Sequence, residues 1–246
     1  MPELLRPFIR GEFTPSESSK TMDIFDPSTG EVIAQTPCCT QKEVERAIAC
    51  AKDAYPAWSE TPPHKRAQYF FKLRNLIAQH FDELTMLVAR ENGKTWSEAA
   101  GDVQKAQEMT EFACSIPTLL MGEGLMNVSS GFDTVRYREP LGVFAGIAPW
   151  NFPAMIPMGW MAPLAIACGN TYVLKAASGT PMTSLRFAAL YQEAGFPAGV
   201  LNVITCSRNE AELLLTHPDV SGVTFVGSTQ VGLHVYATAA AAGKRV

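Results

Sequence analysis

The chain has 246 residues, 47% of them hydrophobic and 18% charged, with a formal net charge of −4. A chain of this size buries about 70% or more of the surface it exposes when unfolded, so one large domain, or one domain with an appendage, is expected. It carries no basic stripe and no block of like charges, which argues against nucleic acid and anionic membrane as partners. Its longer apolar runs are broken by Pro, Gly or polar residues, which argues against a membrane span.

Met1 to Phe13 mixes Glu3, Arg6, Arg10 and Glu12 among apolar residues and does not read as a secretory signal. The six cysteines (38, 39, 50, 114, 168 and 206) show no CxxC and no metal-ligand spacing. Free thiols in a reducing, cytoplasmic compartment and no metal site are therefore expected.

The first forty residues read as short strands and turns, with Asp26-Pro27-Ser28-Thr29-Gly30 as a turn signal. A helix follows: Thr40 can cap it, Glu43 stands at the capping-box position, and Val44, Ala47, Ile48 and Ala51 share a face. A longer helix is predicted from Pro63 to Glu91, where Phe70, Leu73, Leu76, Ile77, Phe81, Leu84 and Leu87 keep a helical period, with Asn92-Gly93 ending it. A third helical run covers Thr95 to Met121. From Met126 to Val143 the pattern becomes that of a β-ribbon turning at Gly131.

After Pro140 short apolar runs alternate with helical ones. The predicted strands are Val143–Ile147, Tyr172–Lys175, Val200–Ile204 and Val223–Val226. The predicted helices are Met155–Cys168, Pro181–Ala194, Asn209–Thr216 and Thr229–Ala242. This alternation implies an α/β fold, a parallel Rossmann-like sheet with helices on both faces, preceded by a helical N-terminal region and a β-ribbon arm. The expected division is residues 1–125, the ribbon 126–143, and a dinucleotide-binding part 144–246. Sheets of this kind bind ligands at the carboxyl ends of their strands.

Three segments fall there. In Ala148-Pro149-Trp150-Asn151-Phe152-Pro153 the prolines fix an irregular turn. Its Asn151 could donate an amide N–H to a developing oxyanion, or merely satisfy local backbone. Lys175 ends a buried strand; it could meet ribose or phosphate, or reach solvent. In Phe225-Val226-Gly227-Ser228-Thr229-Gln230-Val231-Gly232 a strand runs into a helix. Gly227 permits close backbone approach, and Ser228 with the free N–H groups suits a pyrophosphate, or is an ordinary cap. No G-x-G-x-x-G is present. Gly93-Lys94-Thr95 lacks the upstream glycine and strand of a P-loop.

These segments, with Glu139-Pro140-Leu141-Gly142-Val143, Cys168-Gly169-Asn170-Thr171 and Gly195-Phe196-Pro197-Ala198-Gly199-Val200-Leu201-Asn202-Val203, resemble the aldehyde dehydrogenases over essentially the whole chain. Gly101-Asp102-Val103, Ala113-Cys114-Ser115 and Met121-Gly122-Glu123 resemble in particular the coenzyme A-acylating methylmalonate-semialdehyde dehydrogenases. The resemblance implies oxidation of a small-molecule aldehyde by NAD or NADP through a cysteine thioester, with CoA as a possible co-substrate. It implies Asn151 as catalytic oxyanion donor. Ala148, Trp150, Lys175, Ser178, Gly179, Gly227, Ser228 and Gly232 become the cofactor-binding set. The ribbon becomes an arm of a homo-oligomer, a dimer or tetramer. The nucleophilic cysteine and glutamate base are expected beyond Val246, so the chain reads as truncated before a catalytic domain. The competing class is a non-catalytic nucleotide-binding or oligomerisation fragment.

Several positions depart from that pattern. Trp150 replaces a frequent Phe, and Lys105 stands where an arginine is usual. One extra residue, assigned to Gly159, lies in the helix after Asn151, which requires a bulge or shifted register. Ser178 replaces a Glu that NAD-preferring relatives often carry; without that repulsion, NADP is expected to be tolerated or preferred.

Overall fold

The computed structural model describes residues 2–246. The N-terminal residues form the short strands β1 (Glu3–Leu4), β2 (Phe8–Ile9) and β3 (Glu12–Phe13), then β4 (Thr21–Phe25) and β5 (Val32–Pro37). Between β4 and β5 the Asp26 carboxylate accepts the Ser28 N–H at 2.8 Å and its carbonyl accepts the Gly30 N–H at 2.8 Å, which makes the turn that Asp and Gly favour. Helix α1 (Gln41–Ser59) opens with the capping box of Thr40 and Glu43 and buries Val44, Ala47, Ile48 and Ala51.

The long helix predicted next is two, α2 (Pro63–Gln79) and α3 (Phe81–Asn92), parted at His80. No Pro or Gly marks the break. Asp82 and Glu83 fall in the first turn of α3, where free N–H groups favour negative charge, and His80 Nδ1 contacts Glu83 Oε2 at 2.6 Å. The third run is likewise divided, into α4 (Trp96–Cys114) and the single turn α5 (Ile116–Leu119), because Pro117 cannot continue a helical ladder. A second capping box, Thr95 with Glu98, starts α4. The ribbon is the hairpin β6 (Glu123–Ser129) and β7 (Phe132–Arg136), every residue of which is exposed.

The remaining elements are β8 (Val143–Ile147), a π-helical segment Ile156–Met161 running into α6 (Ala162–Ala167), β9 (Thr171–Lys175), α7 (Met182–Glu193), β10 (Leu201–Ile204), α8 (Arg208–Thr216), β11 (Val220–Phe225) and α9 (Thr229–Ala241). The principal sheet has the order β11-β8-β9-β10-β2-β3. Its first four strands are parallel, and β2 and β3 extend it antiparallel. The strand predicted at Val223 begins earlier, at Val220, where Ser221 and Gly222 interrupt the apolar run.

Side-chain alternation along β9 separates two apolar layers. Tyr172 and Leu174 join the core shared with α2, α4, α6 and α7, while Val173 joins the core beneath α1, α8 and α9. Burial of a side chain of this size contributes about 1.5–3 kcal/mol, so the strand is held from both faces. No helix among the described residues is long and apolar enough to cross a membrane.

Gly159, where a bulge or shifted register was expected, lies within the π-helical segment, and the Ala162 N–H donates to the Pro157 carbonyl five residues back. A Cβ at Gly159 would stand 3.0 Å from Ala106 Cα on α4. Gly159→Ala ordinarily gains about 0.5–1 kcal/mol in a helix. Here the backbone contact dominates, and the substitution is expected to lower unfolding stability by about 1–3 kcal/mol. A urea titration showing an unchanged or raised midpoint would contradict this.

Candidate functional site

Strands β8, β9 and β11 end side by side, and the three loops that leave them are tied together just past the sheet. The Ala148 N–H donates to the Lys175 carbonyl at 3.3 Å and the Val226 N–H to the Ile147 carbonyl at 3.4 Å, while the Ala176 N–H fixes the loop after β9 to the Ile204 carbonyl of β10 at 2.9 Å. Two cavities open there. One, of about 580 Å³, is lined by Ala148, Trp150, Asn151, Gly227 and Ser228, with Trp160 and Phe225 in its wall. The other, of about 400 Å³, is lined by Lys175, Ser178, Cys206, Arg208, Glu212 and His234. Ile147 and Val231 line both, so the cavities adjoin across one apolar ridge.

The Asn151 loop is held from behind. Asp102, on α4, has a fully buried side chain; its Oδ1 accepts the Met155 N–H at 2.6 Å and its Oδ2 accepts Lys94 Nζ at 2.8 Å. Burial pushes the Asp102 carboxyl up from its ordinary range, against the pull of Lys94 and the Met155 N–H. The Lys94 ammonium also lies 3.8 Å from the Phe152 ring centroid, a cation–π contact. On the other side of Asn151, the Trp150 carbonyl accepts from Asn92 Nδ2 at 2.9 Å and Thr180 Oγ1 at 3.1 Å. Asn151 and the Trp150 ring are left exposed at the cavity.

Lys175 is mostly buried, and its pKa is lowered by that burial. The neighbouring groups that act on it are the thiols of Cys206 and Cys38 rather than a carboxylate. An ammonium so placed favours an anionic or hydroxyl-rich ligand. Ser228 stands at the N-cap of α9 with extended backbone, but its hydroxyl makes no cap hydrogen bond. The first amides of α9 thus face the cavity edge with the hydroxyl uncommitted, an arrangement suited to an anion.

Not every expected residue converges. Gly227 lines the first cavity, yet its lack of a side chain is required by the chain itself, since a Cβ there would meet the Phe225 ring at 2.5 Å. Gly232 lies outside both linings and faces the same ring. Gly179 belongs with Trp150 to a smaller hollow of about 220 Å³. Lys105 is exposed and pairs with Glu108 at 2.6 Å. Cys206 lines the second cavity, but burial first, with Glu210 and Cys38 adding to it, pushes its thiol up to about 12. The thiolate needed for a nucleophile is therefore disfavoured. Sequence reasoning missed Arg208, Glu212 and His234. The spacing of Arg208 and Glu212, four apart on one helix face, was the available signal.

The loop after β9 has its own support. Helix α7 begins at Met182 with no capping side chain of its own. Glu91, from the end of α3, supplies it, accepting the Met182 N–H at 2.8 Å and the Thr183 N–H at 2.9 Å.

Comparison with known proteins places these features in context. The model of the aldehyde dehydrogenase family matches residues 13–246. The chain is 48% identical over 244 residues to malonate-semialdehyde dehydrogenase 1 of Geobacillus thermodenitrificans (strain NG80-2), covering 99% of this chain and 50% of the relative. A solved structure from Sinorhizobium meliloti 1021, assigned as a methylmalonate-semialdehyde dehydrogenase and complexed with NAD, superposes with a TM-score of 0.96 at 41% identity, covering 100% of this chain and 50% of that one. The methylmalonate-semialdehyde dehydrogenase of Oceanimonas doudoroffii superposes with a TM-score of 0.95 at 42% identity, with the same coverage of 100% and 50%. The chain spans about half the length of the curated relatives it matches.

Burial, only partly opposed by the amides it accepts from, pushes the Glu91 carboxyl up to about 7. The folded chain therefore holds this proton more tightly than the unfolded one. Stability from this group is greatest below about pH 4.5 and falls as pH rises to about 7, by about 3 kcal/mol. Glu91→Gln is expected to remove that part of the slope. Denaturant midpoints measured from pH 5 to 7.5 test it, and parallel pH profiles for the two proteins would contradict it.

Proposed function

Because the chain belongs to the aldehyde dehydrogenase family, we propose that it supplies the cofactor-binding share of the oxidation of a semialdehyde by NAD or NADP. The product in this reading is an acid or an acyl-CoA, reached through a cysteine thioester. The observation that carries it is the convergence of Asn151, Lys175 and Ser228, at the ends of three separate strands, on two adjoining cavities at one sheet edge. When bound, the nicotinamide accepts hydride from the substrate. The chain's own residues bind and orient. Ser228 and the first amides of α9 hold the pyrophosphate. Lys175 would donate to the ribose of the adenosine, and the apolar ridge of Ile147 and Val231 lies between the two cavities. Trp150 and Ala148 wall the nicotinamide side. Asn151 donates its amide N–H to the aldehyde oxygen as that oxygen gains negative charge, an interaction worth about 3–4 kcal/mol in comparable oxyanion sites.

The malonate- and methylmalonate-semialdehyde relatives support a carboxylated semialdehyde as substrate; CoA is the acceptor in the acyl-CoA branch of this reading. Residues 144–246 act as the dinucleotide-binding part, and the exposed β6–β7 hairpin acts as a contact arm between copies in a dimer or tetramer. Ser178, with no charge to repel a 2′-phosphate, makes NADP a usable cofactor.

Thermal-shift and calorimetric titrations with each dinucleotide test this. The expected results are binding of both within tenfold of each other, and a loss of about tenfold or more for Lys175→Met. NAD binding more than tenfold tighter than NADP would overturn the tolerance of NADP. Binding of neither would overturn the nucleotide reading.

A further inference from the structure

The second cavity contains a carboxylate that the nucleotide reading leaves unused. Its wall includes two basic side chains, Lys175 and Arg208, and one carboxylate, Glu212. Ser178 adds no charge. Arg208 and Glu212 stand four apart on α8 and so share its cavity face with Ala211 and Leu215. Val231, His234 and Val235 present the opposite wall from α9. The walls are joined where His234 Nε2 meets Glu212 Oε1 at 2.6 Å, with both side chains partly exposed. The other carboxylate of this helix, Glu210, is turned toward the Ser207 hydroxyl and does not line the cavity. Glu212 is therefore the single full negative charge in the lining, and a specific partner on the facing helix holds it in place.

We propose that Glu212, held against His234, determines how strongly this chain discriminates between a dinucleotide with a free 2′-hydroxyl and one with a 2′-phosphate. The proposal rests on the nucleotide reading above and adds a residue to it. A 2′-phosphate brings a charge of about −1.5 to −2, whereas a hydroxyl brings none. A carboxylate in the same cavity opposes the first and is indifferent to, or accepts a hydrogen bond from, the second. The neutral Ser178 leaves this opposition to Glu212, while Lys175 and Arg208 pull the other way. The result is a moderate preference rather than exclusion. Both members of the pair are partly solvated, so the effect is several-fold and weakens with salt.

The test uses the whole chain. Dissociation constants for NAD and NADP are measured at low salt for the wild type, Glu212→Gln and Glu212→Lys, with thermal midpoints confirming that each variant folds. The expected result is graded with charge: Glu212→Gln tightens NADP about fivefold, Glu212→Lys tightens it further, and NAD stays within about twofold throughout. Raising the ionic strength to about 0.5 M compresses the NADP series. If both dinucleotides bind the wild type but the NADP-to-NAD ratio does not follow the charge at position 212, this inference is overturned and the nucleotide reading stands. If the wild type binds neither, the nucleotide reading falls and takes this inference with it.

Discussion

A fully buried carboxylate cannot stay charged in a protein interior without partners, and Asp102 has two that matter for the site. One oxygen holds the Met155 N–H and the other holds Lys94, whose ammonium also covers the Phe152 ring. The loop between β8 and the π-helical segment carries no regular backbone ladder of its own, and these contacts stand in for one. Asn92 and Thr180 pin the Trp150 carbonyl from the other direction. Asn151 is thereby held between two anchored neighbours while remaining exposed. The role proposed for Asn151 requires that rigidity, because the advantage of an amide over water is that it is already oriented.

The same economy appears in the sheet. Tyr172 on β9 reaches across β8 to contact the Thr224 hydroxyl on β11, and a Cβ at Gly146 would collide with that tyrosine. One side chain thus couples the three strands whose ends carry the Asn151, Lys175 and Ser228 loops. Below it, Asn170 accepts the Leu141 and Gly142 N–H groups at 2.8 and 3.2 Å and donates to the Ala165 carbonyl at 3.1 Å. The strands therefore enter the sheet in fixed register at one end and present their loops together at the other.

Much of this was legible in the amino-acid order. The capping box of Thr40 and Glu43, the four parallel strands and the three segments at their ends follow from local chemistry and periodicity. The expectation of an irregular helix at Gly159 comes instead from the family resemblance, as a residue in excess of its pattern. What was not legible depends on partners far apart in sequence. Glu91 caps α7 across more than ninety positions, a contact no local pattern announces. Strands β2 and β3 have two residues each, too few for alternation to show, yet they extend the main sheet. The amphipathic pattern of α8 and α9 identifies their buried faces, but it cannot show that Glu212 and His234 meet across a cavity. The break at His80 carries no helix-breaking residue to announce it, only Asp82 and Glu83 in the first turn of α3.

The π-helical segment has a geometric consequence beyond accommodating a residue. Met155, Ile156 and Trp160 all line the cavity that holds Asn151. In an α-helix, five residues turn through about 500°, which would swing Trp160 about 140° away from Met155. Winding with hydrogen bonds five residues apart brings such positions much closer to eclipsed. The π-helical winding therefore acts as an angular adjuster: it rotates one indole into the cavity wall, while α6 beyond it still enters the core to meet β9.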